Sequence, residues 1–264
     1  MDNGIADVRL NRPDKLNALD QAMFNGIVDA GEALKADPGV RVVVLSGEGR
    51  GFCAGLDFGS FQAMAGGDAA RDDAPRDESL GAIGDTDGRI THLGQQAAWV
   101  WQEIGVPVIA AVHGAALGGG LQIALGADIR IVAPDAKLSV LEARWGLIPD
   151  MTGTVILPKL VGLDVAKELT FTGRMVSGTE AVALGLATRV ADDPRGAALE
   201  LAADLATKSP DALREGKRLL NLSGTRPLAE QLHDERVTMR SLIGSPNQVE
   251  ATMAYFEKRA PTFT

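Results

Sequence analysis

"VPVIAAVHGAALGGGLQIALGADIRIVA" runs from Val106 to Ala133, and its order of residue types decides the fold class. Residues 106–114 and 129–133 are continuous apolar runs of strand length, the pattern of strands buried on both faces in a parallel sheet. Between them stand Gly118-Gly119-Gly120 and an apolar helical stretch, "LQIALGA". Strand, glycines, helix and strand make a crossover connection, so the class is α/β. The first turn of a helix has unpaired N–H groups and the positive end of the dipole, and glycine lets a ligand oxygen approach that backbone. This arrangement suits an oxyanion or another anion. Close packing of the helix start on a neighbouring strand is the alternative. A dinucleotide fingerprint fits poorly, because it needs G-x-G-x-x-G and the spacing here is G-x-x-x-G-G-G.

Working outward, "VRVVVLSG" (40–47) is another buried-strand run, and Ile5–Leu10 alternates as a strand until Asn11-Arg12-Pro13-Asp14 breaks it. Met23, Ile27, Ala30 and Leu34 recur at helical spacing, and Asp37-Pro38-Gly39 stops that helix. Residues 65–89 are rich in Gly, Asp and Ala, which predicts a surface loop or a lid over a ligand. A helical pattern resumes over Ile90–Ile104. From Arg195 onward only helices are expected, over Arg195–Lys208, Pro210–Asn221, Pro227–Ile243 and Pro246–Lys258. The division is therefore a core over residues 1–197 and a helical region over 198–264.

The net charge of −9 over 264 residues repels nucleic acid and anionic membranes but leaves room for an anionic small ligand. The single cysteine, Cys53, permits no internal disulfide, and no metal-ligand spacing occurs. Cys53 has no activating cation near it in sequence, so packing is the expected role. The first residues have no signal-peptide pattern, and no apolar run reaches the ~20 residues of a membrane span. The expected location is cytoplasmic, without a membrane partner.

A second loop, "GEGRGFCAGLDF" (47–58), also follows a buried strand and also exposes backbone, at Gly51, Ala54 and Gly55. Two such loops can direct two N–H groups at one oxygen, which is what a thioester carbonyl needs as it becomes an enolate. "GRGFCAGLDF", "AVHGAALGGGLQIALGADIRI", "LSVLEARWGLIPDMTGT" and "LTFTGRMVSGTEAVALGLATRV" stand in the order and spacing of the crotonase, or enoyl-CoA hydratase/isomerase, superfamily. "LNRPDKLNALD" and "MAYFEKRAP" extend the resemblance to nearly the whole chain.

The resemblance implies a spiral of ββα repeats that binds acyl-CoA, followed by C-terminal helices that build a homotrimer or a dimer of trimers. By motif position, the backbone N–H groups of Leu56 and Gly119 would form the oxyanion hole. Lys15, Leu16, Ala54, Asp57 and Phe58 would lie along the coenzyme A, with Tyr255 and Lys258 reaching it from the C-terminal region. An ordinary solvated helix end is the other reading of Tyr255 and Lys258. No permanent cofactor is implied, since coenzyme A is part of the substrate.

Enolate chemistry needs a proton carrier at Cα and often a second one. Hydratases of this family present two glutamates. The second is present as Glu142, but Gln122 stands at the first position, where an amide can orient but cannot shuttle a proton. Asp150 matches a third carboxylate that some members use for isomerisation and others as a nucleophile. The expected roles are Glu142 as base or acid, Asp150 as its partner and Gln122 as an orienting group, with Trp145, Leu147 and Ile148 as apolar walls raising carboxylate pKa values. Double-bond isomerisation fits these side chains slightly better than hydration. Two alternatives stay open: an Asp150-nucleophile dehalogenase or hydrolase, and a catalytically impaired CoA-binding protein.

Overall fold

The computed structural model describes residues 3–57, 59, 86 and 88–264. Phe58 and almost all of the 65–89 stretch lie outside the described residues.

The valine-rich runs form the centre of a five-stranded parallel sheet. Its strands are β1 (Ile5–Leu10), β2 (Val42–Gly47), β3 (Val108–Val112), β5 (Ile129–Val132) and β8 (Arg189–Val190), in the order β1-β2-β3-β5-β8. Pairs such as Val8–Leu45, Leu45–Ala110 and Ala110–Arg130 carry one register across four of them. Helices α1 (Gln21–Ala36) and α2 (Leu93–Glu103) bring Phe24, Ile27, Val28 and Trp101 into one buried cluster with Val43, Leu45, Ala110 and Val112. The opposite sheet face, Val42, Val44, Ile109, Ala111 and Ile131, is covered by Ala198 and Ala202 of α7 (Pro194–Ala206). Both faces are thus buried, as the unbroken apolar runs require.

A second sheet comes from strands too short to show a pattern of their own. β4 (Ala115–Leu117) pairs parallel with β6 (Lys137–Ser139), which pairs antiparallel with β7 (Val176–Ser177). Single parallel bridges, Cys53–Ala116 and Leu19–Leu56, carry this layer toward the N-terminus. Each turn of the chain therefore places one segment in the large sheet and the next in the small one, which is the ββα spiral. Four further helices complete the turns: α3 (Gly119–Leu125), α4 (Gly153–Val161), α5 (Leu163–Thr172) and α6 (Gly178–Leu184).

The C-terminal helices follow as α8 (Pro210–Asn221), α9 (Leu228–Leu242) and α10 (Pro246–Glu257). The prolines fall where the first-turn preference puts them, and Ser209 and Ser245 cap α8 and α10 by accepting from Ala212 N and Gln248 N. Lys217 of α8 ties this region to the core. Its ammonium donates to Trp101 O and Val106 O, at 2.9 and 3.1 Å, and lies 2.8 Å from Asp128 Oδ2. The helix expected over Ile90–Ile104 is shorter at its start, because the His92 side chain caps it and accepts from Gly94 N and Gln95 N. No described helix is long and apolar enough to cross a membrane.

Candidate active site

The site is made where a parallel ladder stops. The 53–56 loop bonds to β4 through Cys53 N to Ala115 O, 2.8 Å, and Leu117 N to Cys53 O, 3.0 Å. One more step of this ladder would give Gly119 N the carbonyl of Gly55. Gly55 instead turns with φ +88°, and its carbonyl accepts from Leu19 N at 2.8 Å. Leu19 O in turn accepts from Asp57 N at 2.9 Å, so both main-chain groups of Leu19 are satisfied by the residues flanking Leu56. The N–H groups of Leu56 and Gly119 are left with no acceptor among the described residues. Gly55, which precedes Leu56, lies against this second segment, since a Cβ added to it would sit 3.7 Å from Gly119 N and 2.6 Å from Leu117 O. Leu56, Gly118 and Gly119 are half-buried, so the backbone here can be reached by a ligand.

The triple glycine has more than one cause. Gly118 has φ +52° and ψ −121°, a conformation that favours glycine. At Gly120 a Cβ would sit 2.3 Å from Cys53 O, so close packing is the reason there. Close packing also applies at Gly119, where a Cβ would sit 2.8 Å from Met151 Sδ and 2.9 Å from Leu19 Cδ1.

Gln122 sits on α3 and is almost completely buried. Its Oε1 accepts from Met151 N and from Gly153 N, both at 2.9 Å, and its Nε2 donates to Glu142 Oε1 at 2.6 Å. The amide thus braces Glu142 against the loop that carries Asp150. Glu142 opens a short 3-10 turn, Glu142–Trp145, after β6, and is buried. Its second oxygen, Oε2, is buried and has no hydrogen-bond partner among the described residues. Burial pushes the Glu142 carboxyl above the usual carboxylate range, and the like charge of Asp150 adds to this against the Gln122 amide. The expected apolar walls are not the cause. Trp145, Leu147 and Ile148 are 53, 44 and 69% exposed in the single chain.

Asp150 lies half-buried in the turn before α4. Two residues on, Thr152 has φ +71°, a conformation that a β-branched residue rarely adopts, and its hydroxyl is buried without a partner among the described residues. The bonds from Met151 N and Gly153 N to Gln122 hold the backbone on either side of it.

Of the expected coenzyme A residues, four gather along one edge. Ala54 N donates to Leu16 O at 2.9 Å, joining the two loops, and Lys15 beside them is exposed. Asp57 is paired with Arg12, Nη1 to Oδ2 at 2.6 Å, which holds its carboxyl below the usual range. Tyr255 instead lines a groove of about 570 Å³ with Ala212, Met239 and Phe256. Neither Tyr255 nor Lys258 bonds to residues 12–57 among the described contacts.

Cys53 is fully buried, its thiol donates to Asn17 O at 3.0 Å, and burial pushes it up to about 12, so it is no nucleophile. His113 binds Gly49 O through Nε2 at 2.9 Å, which fits a packing role. Among the described residues no group of three or more His, Cys, Asp or Glu could hold a metal ion. Sequence reasoning passed over Asn17, which is fully buried and bonded to the 48–52 backbone.

The parallel spiral, the interrupted ladder and the buried glutamate beside it define a protein built like the enzymes that act on acyl-CoA thioesters. The enoyl-CoA hydratase/isomerase family model matches residues 1–264, and the chain belongs to that family. It is 33% identical to mouse (Mus musculus) enoyl-CoA hydratase domain-containing protein 2, mitochondrial, over 98% of this chain and 84% of that one. It is 32% identical to mouse mitochondrial methylglutaconyl-CoA hydratase, over 98% and 79%. Among solved structures, an enoyl-CoA hydratase from Polaromonas sp. JS666 superposes with a TM-score of 0.87 at 28% identity, covering 100% of this chain and 98% of that one.

Proposed function

We propose that this chain acts on enoyl-CoA thioesters, binding the thioester oxygen on the N–H groups of Leu56 and Gly119 and moving protons with Glu142. The observation that carries this reading is the pair of amides left over where the ladder stops, next to a buried carboxylate with one open oxygen. In that role the amides stabilise the enolate, and each is worth ~3–4 kcal/mol in the transition state. Glu142 Oε2 is the proton carrier, and burial raises its pKa, which makes the carboxylate a stronger base. Gln122 holds Glu142 in place, and Asp150 is the second carboxylate of the site. Lys15, Leu16 and Ala54 form the edge proposed for coenzyme A. The exposed Leu228, Ile243, Tyr255 and Phe256 of the C-terminal helices support self-assembly there as a homotrimer or dimer of trimers.

One buried proton carrier suits double-bond isomerisation, in which a single base takes a proton from one carbon and returns it to another. Hydration is the second reading, favoured by the hydratase names of the relatives. Product analysis on 2-enoyl-, 3-enoyl- and 3,5-dienoyl-CoA separates them. Shifted double bonds without 3-hydroxyacyl product support isomerisation, and 3-hydroxyacyl product as the main species supports hydration. Binding of coenzyme A thioesters with no turnover of any of the three contradicts both.

A further inference from the structure

Asn17 has an environment that packing alone does not explain. It is fully buried, and both it and Leu16 have left-handed backbones, with φ of 56° and 50°. Consecutive non-glycine residues there cost energy unless bonds repay it. The repayment is on one side of the residue. Asn17 Nδ2 lies 2.9, 2.9 and 3.1 Å from the carbonyls of Glu48, Gly51 and Phe52, while Oδ1 accepts from Arg12 N at 2.8 Å. Its own carbonyl accepts from the Cys53 thiol.

Those three carbonyls belong to the segment that leads directly into Cys53–Leu56. Downstream of Asn17 the same chain continues the clasp, Ala54 N donating to Leu16 O and Leu19 N to Gly55 O. The loop that ends in the free Leu56 N–H is therefore bonded along its length to residues 16–19, and Asn17 is the side chain in that contact. With two N–H groups for three carbonyl acceptors and full burial, it has no freedom to relax.

We infer that Asn17 is a positioning residue that aims the Leu56 N–H at the thioester oxygen, while touching no substrate atom itself. This rests on the oxyanion reading above. A purely structural asparagine would change stability and leave carbonyl polarisation alone. An aiming residue changes the polarisation, because ~1 Å of misplacement can cost up to about 10²-fold in rate.

The test uses butyryl-CoA labelled with 13C at the thioester carbonyl and infrared difference spectra of wild type, N17G and N17D. Glycine keeps the left-handed backbone and removes only the amide. N17D keeps the acceptor for Arg12 N and places an oxygen against the three carbonyls. In wild type the bound carbonyl stretch falls below that of free butyryl-CoA. In N17G it returns toward the free value, kcat on 2-enoyl-CoA falls about tenfold or more, and KM stays within about threefold. N17D serves as the readout if N17G does not fold. A wild-type carbonyl without a shift overturns the oxyanion reading and this inference with it. A shifted wild type together with a folded N17G that keeps the full shift and rate overturns the inference alone. Failure of both variants to fold also overturns it, since Asn17 then serves folding only.

Discussion

Two polar pairs flank the short helix α3, one anchored within it and one just past its end, and they are completed differently. Past its C-terminal end, Asp128 Oδ2 accepts from Val108 N and faces Lys217, whose ammonium also donates to two carbonyls. Every Lys217 proton has a partner, so that pair behaves as a fastening between α8 and the core. At Gln122 the amide oxygen and nitrogen both have partners, but the carboxylate it holds is only half met: Glu142 Oε2 is buried with no hydrogen-bond partner among the described residues. Saturation suits a structural pair, and the unmet Glu142 oxygen is the feature on which its proposed role as proton carrier rests.

The largest effect expected from this contrast is on activity. Glu142→Gln preserves an acceptor for the Gln122 amide and removes the proton carrier, so kcat falls about 10²–10⁴-fold. The same change stabilises the fold. The folded-state pKa of Glu142 is raised, so the folded protein holds a proton that the unfolded chain releases. The group's contribution to stability therefore declines as pH rises from the unfolded value through the folded one. Thermal melts against pH will show E142Q above wild type on the alkaline side of that window and equal to it on the acid side. A loss of stability instead would make Glu142 a structural residue like Lys217.

Lys217→Met should do the reverse, costing about 3 kcal/mol by leaving Asp128 unpaired while leaving the residues around Glu142 unaltered. Chemical denaturation measures the loss, and turnover of the folded fraction should stay within about twofold of wild type. A collapse in kcat without a loss of stability would break the division between the two pairs.

Gln122→Glu sharpens the comparison by making the reactive pair two carboxylates. Its second oxygen would face Glu142 Oε1 at the present 2.6 Å, so the two share a proton. A base loses activity as pH falls through its pKa, so the acid limb of the rate profile moves to higher pH. The ratio of hydration to isomerisation should rise several-fold. The smallest effect is expected at Thr152, where glycine relieves the positive φ and T152G gains about 1 kcal/mol in denaturation.

Much of this was legible in the sequence, because the central strands are unbroken apolar runs and the glycines stand at their ends. The strands of the second sheet were not, since β4, β6 and β7 are two or three residues long and carry no periodicity. α4, α5 and α6 were likewise not separated from the motif that contains them. Glu142, Asp150 and Gln122 were named from motif position, Gln122 as an orienting group, yet the backbone groups that anchor Gln122 were hidden. Its partners Met151 and Gly153 contribute backbone N–H groups, which every residue except proline has. Asn17 was missed for the same reason, as all its side-chain partners are main-chain atoms. The source of the Glu142 shift was misplaced because Trp145, Leu147 and Ile148 precede Asp150 in sequence but stay exposed in the fold.

The central claim is that two unbonded amides and one open carboxylate oxygen together form an enolate from a bound thioester. Deuterium uptake at Cα of butyryl-CoA in D₂O tests it without requiring hydration or isomerisation. The account predicts uptake with the wild type at a rate far above solvent exchange, and its loss in E142Q under conditions where both bind the thioester. Undiminished uptake in a folded E142Q, or none in a wild type that binds butyryl-CoA, would contradict it.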